Sequence, residues 1–122
     1  MDKKSILQLS VELTDLAEKA RNNRLTPAEV TGGNFTISNL GGVDGTGFTP
    51  IIYWLQAAIL GVARATERPV YVDGELRRRM ILPLSLSYDH RIIDGTDAVH
   101  FLRWIVEAVE KPFQLAMQEE AR

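Results

Sequence analysis

From about Lys4 to Asn22 the apolar residues Ile6, Leu9, Leu13, Leu16, Ala17 and Ala20 recur at helical spacing. Glu12, Asp15, Glu18 and Lys19 fall mostly opposite them, which predicts an amphipathic helix. Thr26-Pro27-Ala28-Glu29 follows with an N-cap residue, a first-turn proline and a glutamate at the capping-box position. That combination predicts a short second helical turn. The period then changes. Asn34 to Leu40 alternates and is β-branched, a strand signal, and Gly41 to Gly47 holds four glycines in seven residues, a mobile or tightly turned loop. Gln56 to Ala63, Pro69 to Val72 and Arg79 to Tyr88 read as further strands, with Asp73-Gly74 as a hairpin turn. A last helix is predicted from about Thr96 to Glu110, with Phe101, Leu102, Ile105 and Val109 inward and Pro112 ending it. The order predicts an α+β class, a mixed or antiparallel sheet covered by helices on one face.

Composition narrows the functional classes. The chain has 122 residues, 45% of them hydrophobic, enough for one compact domain with a small core. A net charge of -2 gives no reason to expect nucleic acid or an anionic membrane as partner. With no cysteine there is no disulfide, thiolate metal site or cysteine nucleophile. The N-terminus Met-Asp-Lys-Lys-Ser has no apolar signal core, and no apolar run reaches membrane-spanning length. The expectation is a cytoplasmic or organelle-matrix protein, built as a single domain over 1–122.

The candidate chemistry lies in Ser87-Tyr88-Asp89-His90-Arg91-Ile92-Ile93-Asp94-Gly95. One of only two histidines stands there, four residues before an aspartate, where a strand-like run turns into a helix. A neutral imidazole at such a point takes a proton from a thiol or hydroxyl, and nearby carboxylates hold its tautomer. From the pattern alone, a buried histidine satisfying hydrogen bonds is the simpler reading. His100 reads as a helix-surface or interface residue. The two histidines lack metal-pair spacing, so no metal is expected. The glycine loop lacks the P-loop lysine and the dinucleotide-binding spacing. Arg77, Arg78 and Arg79 read as a solvated strand edge, with contact to an anionic ligand as the alternative.

The motif Asp89-His90-Arg91-x-x-Asp94-Gly95 resembles the signature of dihydrolipoamide acyltransferases, the E2 cores of 2-oxo acid dehydrogenase complexes. Gly32-Gly33-Asn34-Phe35-Thr36-Ile37-Ser38-Asn39-Leu40-Gly41-Gly42 is similar to the family's second signature, a strand entering a glycine-rich turn. Phe48-Thr49-Pro50-Ile51-Ile52, Ala58-Ile59-Leu60-Gly61-Val62, Pro69-Val70, Asp73-Gly74 and Leu82 to Ser87 follow at family-like spacing. The resemblance implies a truncated chloramphenicol acetyltransferase-like fold. It matches the second half of such a domain and shows no lipoyl or peripheral-subunit-binding domain.

What the resemblance implies for chemistry is specific. His90 would be the general base that deprotonates the thiol of dihydrolipoamide or coenzyme A. Ser38 would donate to the oxyanion, and Asp94 would support the histidine loop. Ser38 and His90 would meet across a subunit interface of a homotrimer. In chloramphenicol acetyltransferases the aspartate matching Asp94 pairs with an arginine from the first half, so here Arg91 is a candidate substitute. Asp89 and Arg91 otherwise read as structural ion-pairing groups. Coenzyme A and dihydrolipoamide would be substrates, with no covalently bound lipoyl group in this chain.

Two departures stand out. After Ile51-Ile52, relatives commonly continue Asn-x-Pro-Glu, whereas this chain has Tyr53-Trp54-Leu55-Gln56. These aromatics are expected to cover or pair surface that the first half would bury, or to reflect core drift. At the C-terminus Leu115 and Met117 offer a weak counterpart to the leucine-rich anchor that builds cages from trimers. Two functional classes follow: an acyltransferase core, or a catalytically silent trimer or cage scaffold. Partners would be other copies and possible 2-oxo acid dehydrogenase components or a lipoyl domain.

Overall fold

The computed structural model describes residues 4–42 and 46–113, and the chain divides into two units, before and after Gly33. The first unit holds α1 (Ile6–Arg21) and α2 (Pro27–Val30). Ser5 caps α1, accepting from the Gln8 backbone N–H while the Gln8 side chain accepts from the Ser5 N–H. At α2 the Glu29 carboxylate accepts from both the backbone N–H and the hydroxyl of Thr26, each at 2.8 Å. Lys19 ties the two helices together, its Nζ 3.0 Å from Glu29 and 3.2 Å from Asp15. The bond from the Thr26 N–H, with Lys19 next, holds the Glu29 carboxyl down at about 2. The predicted apolar face of α1 is only half covered: Leu9, Leu16 and Ala17 are half-buried, whereas Ile6 and Leu13 are exposed.

The second unit is built on a mixed three-stranded sheet in the order β1 (Thr36–Asn39), β2 (Ala58–Val62), β5 (Leu84–Tyr88). β1 runs parallel to β2, and β2 antiparallel to β5. A parallel pair needs a long crossover. Here residues 40–57 supply it with no helix or strand among the described residues. β3 (Thr66–Val72) and β4 (Glu75–Ile81) form a separate antiparallel hairpin. Its turn residues Asp73 and Gly74 both have positive φ, 53° and 79°, which matches the twist of a two-residue hairpin. α3 (Gly95–Glu110) lies against β5.

The segment from Arg79 to Tyr88 is not one strand. It breaks at Leu82-Pro83 into β4 and β5, which belong to different sheets. Pro83 has no N–H to continue a ladder, and its carbonyl instead accepts from Ala63 at 3.1 Å. The core is small: among the described residues Ala58, Ile59, Leu60, Ala63 and Ala98 are buried, and so is Pro50 of the crossover. Leu102 and Ile105 of α3 are half-buried, and Phe101 meets Phe35 edge to face at 5.7 Å. Phe101 and Val109, both expected inward, are exposed. Tyr53, Trp54 and Leu55 are 67%, 81% and 88% exposed, so they cover nothing within their unit. Leu115 and Met117 lie outside the described residues.

Candidate active site

His90 sits at the crest of the turn that follows β5. The turn is pinned by four backbone bonds. Asp89 N–H donates to the Ala57 carbonyl at 2.8 Å, and Ile92 and Ile93 N–H both donate to the Asp89 carbonyl at 3.0 Å. Ala98 N–H returns to the Asp94 carbonyl at 3.1 Å. The imidazole is exposed and makes no hydrogen bond among the described residues. It is not the buried, hydrogen-bonded histidine that pattern alone suggests.

The charges on either side of His90 neutralise each other. Asp89 accepts from Arg91 Nε at 2.9 Å and Nη2 at 2.6 Å, and from the Arg91 backbone N–H at 3.0 Å. The Arg91 guanidinium, with that backbone bond next, holds the Asp89 carboxyl down at about 2. Asp89 in turn raises the Arg91 guanidinium above its ordinary value. The structural ion pair read from sequence is therefore present, and Arg91 is taken by Asp89 rather than offered to Asp94.

Asp94 stands at the N-cap of α3. Its Oδ1 accepts from the Asp97 N–H at 2.9 Å, satisfying one of the unpaired donors of the first turn. A carboxylate there is also favoured by the helix dipole. Asp94 is exposed, so it carries no burial penalty for want of an arginine. Its capping role was legible in Asp94-Gly95-Thr96-Asp97, an N-cap residue just before a helical pattern.

Ser38 lies on β1 in register with Gly61 of β2, which is itself in register with Ser85 of β5. Phe48 and Pro50 lie over Gly61, so the crossover covers this face of the sheet. Thr36, two residues before Ser38, donates to Gln56 Oε1 at 2.6 Å and ties β1 to the same crossover. His90 is five residues beyond Ser85 and two strands across from Ser38, a separation of roughly 15–20 Å at ordinary strand spacing. One chain does not bring Ser38 and His90 together. Sequence reasoning missed one neighbour: the Tyr88 ring lies 5.6 Å from the His90 ring, tilted by 41°.

Elsewhere the candidates resolve simply. His100 is exposed on α3. Arg77 pairs with Glu75 at 3.0 Å and Arg78 with Glu67 at 3.3 Å, as solvated hairpin side chains do. An open groove along α1, lined by Leu7, Gln8 and Val11 among others, touches none of Ser38, His90 and Asp94. Among the described residues, no three histidine or carboxylate side chains gather as metal ligands. Nor is any helix long and apolar enough to cross a membrane.

The second unit thus presents His90 from a strand-to-helix turn, with Ser38 two strands away on the parallel strand β1. Residues 1–117 match the family model of the 2-oxoacid dehydrogenases acyltransferase catalytic domain. The chain belongs to that family. It is 50% identical over 107 residues to the dihydrolipoyllysine-residue acetyltransferase component of the pyruvate dehydrogenase complex of Pseudomonas aeruginosa, covering 88% of this chain and 20% of that protein. The solved dihydrolipoamide acetyltransferase of Azotobacter vinelandii superposes with a TM-score of 0.82 at 49% identity, covering 88% of this chain and 44% of that one. The cubic core of the pyruvate dehydrogenase multienzyme complex gives the same TM-score at 48% identity and the same coverage. The chain thus spans less than half of each of these two solved cores.

Proposed function

We propose that this chain transfers an acyl group between coenzyme A and dihydrolipoamide, at sites assembled between copies of itself. The observation that carries the reading is an equality of spacing. In the Azotobacter enzyme a serine, a histidine and an asparagine have been investigated for their role in the catalytic mechanism. The interval from its serine to its histidine equals that from Ser38 to His90, and its asparagine follows at the interval of Asp94.

The chemistry follows from the residue types. An imidazole nitrogen of His90 accepts the proton of the dihydrolipoamide thiol, and the thiolate sulfur adds to the thioester carbonyl carbon of the acyl-coenzyme A. The Ser38 hydroxyl donates a hydrogen bond to the oxyanion so formed. Collapse breaks the bond to the coenzyme sulfur, and that thiolate takes the proton back from the imidazolium. Asp94 contributes by capping α3, which fixes the turn that carries His90. The separation of Ser38 from His90 within one chain supports a site shared between copies. Closed symmetry lets each histidine face a neighbour's serine, and the homotrimer that the family resemblance implies is the assembly we assign. The relative solved as a cubic core supports self-assembly on a larger scale.

The test is acyl transfer from acetyl coenzyme A to free dihydrolipoamide by the assembled chain. His90→Ala is expected to lower turnover ~10²–10⁴-fold, the usual contribution of a general base. Ser38→Ala is expected to lower it ~10²–10³-fold, as loss of an oxyanion donor does. Turnover no higher than that of His90→Ala, across several acyl donors, would leave a silent scaffold as the reading.

A further inference from the structure

We propose that Tyr88 is the positioning residue for His90, a role that rests on His90 acting as the base. Tyr88 is the last residue of β5, in register with the buried Ala58 of β2. Its hydroxyl oxygen lies 3.8 Å from the point where a Cβ on Gly95, the first residue of α3, would stand. The phenol is thus held between the start of β2 and the start of α3, and is half-buried there. From that fixed seat its ring meets the imidazole at 5.6 Å with a 41° tilt, an ordinary geometry for an aromatic pair.

His90 needs such a neighbour. It is exposed, and among the described residues no hydrogen bond restrains either ring nitrogen. The nearest charges, Asp89 and Arg91, are bonded to each other, and Asp94 is bonded to α3. The Tyr88 ring is the aromatic contact that the imidazole makes within its own chain. A base must hold its nitrogen within hydrogen-bond reach of the thiol proton, and small misplacements are costly in rate. Tyr88 touches neither thiol in this reading. It acts through the histidine.

Three variants of the full, assembled chain test the assignment: Tyr88→Phe, Tyr88→Leu and Tyr88→Met, the last filling the site without a ring. Tyr88→Leu and Tyr88→Met are expected to lower kcat about two- to tenfold, the worth of one aromatic pair, with KM for acetyl coenzyme A and for dihydrolipoamide unchanged. Tyr88→Phe restores kcat, because the ring and not the hydroxyl makes the contact. Proton NMR gives a readout separate from turnover. The chain has two histidines, and His90→Gln assigns their ring resonances. The His90 signal should lose its ring-current shift in Tyr88→Leu and Tyr88→Met, keep it in Tyr88→Phe, and leave His100 unmoved. A His90 signal identical in wild type and both ringless variants would overturn the proposal. So would full kcat in those variants while His90→Ala is inactive. If His90→Ala kept its turnover, the base assignment would fail, and the resonances would still decide whether Tyr88 orients the ring.

Discussion

Gly61→Ala offers a sharp test of how the crossover is seated on the sheet. Gly61 lies mid-strand between Ser38 and Ser85, and a Cβ there would stand 2.9 Å from Phe48 Cζ and 3.3 Å from Phe48 Cε1. It would also stand 3.2 Å from Pro50 Cγ. The phenyl ring has to tilt away. Pro50 is buried and its ring is fixed, so it yields less. Overpacking of this kind costs about 1–3 kcal/mol, offset by about 0.4–1 kcal/mol from the lower chain entropy of alanine in the unfolded state. The net expectation is a loss of up to about 2.5 kcal/mol. At about 4–8 °C per kcal/mol for a unit of this size, thermal unfolding followed by circular dichroism resolves it easily. Phe48→Leu removes the outer ring atoms, and in the Gly61→Ala background it should restore part of the loss. The coupling in a double-mutant cycle should then exceed about 0.5 kcal/mol. A Gly61→Ala chain as stable as wild type, with no coupling to Phe48, would refute the packing argument.

Asp89 titrates near 2 in the folded chain, below the ordinary 3.8. Its pair with Arg91 therefore stabilises the fold fully above about pH 4, and the contribution disappears as pH falls from there toward 2. Asp89→Asn should be less stable than wild type at neutral pH, with the two denaturation midpoints converging near pH 2; parallel curves would contradict the pairing. Leu55 holds a left-handed backbone (φ 69°) with its side chain 88% exposed. Leu55→Gly should therefore raise stability by up to about 1 kcal/mol, and a lower urea midpoint would argue against that strain. Asp94→Ala should cost about 1 kcal/mol as a lost N-cap, whereas Asp94→Asn, equally able to accept from Asp97, should not. Equal losses in the two variants would place the role of Asp94 elsewhere.

Much of the architecture was legible because local signals agreed with the tertiary outcome. The capping box at Thr26 and Glu29, the Asp73-Gly74 turn and the register of α3 are each fixed by a few neighbouring residues. The misreadings arise where a non-local partner decides. The alternation through Leu82 hid a change of sheet that Pro83 enforces. The apolar faces bearing Leu13 and Val109 are real, but the spacing of a helix says nothing of what covers it. In the candidate site, the positions of His90 and Asp94 at a strand-to-helix turn follow from the sequence. The pairing of Arg91 with Asp89 instead of Asp94 depends on turn geometry, and Tyr88 was passed over because it reads as one more strand residue. The gap between Ser38 and His90 comes from strand order, which no local pattern encodes.

That gap makes complementation the most direct test of a site shared between copies. Ser38→Ala and His90→Ala chains, each inactive alone, would be unfolded together at equal concentration, refolded, and assayed for acyl transfer from acetyl coenzyme A to dihydrolipoamide. Random assembly places an intact serine opposite an intact histidine in about a quarter of the sites, so about a quarter of wild-type turnover should return. Wild-type chain that is active under the same treatment, beside a mixture no more active than its parents, would contradict the shared site.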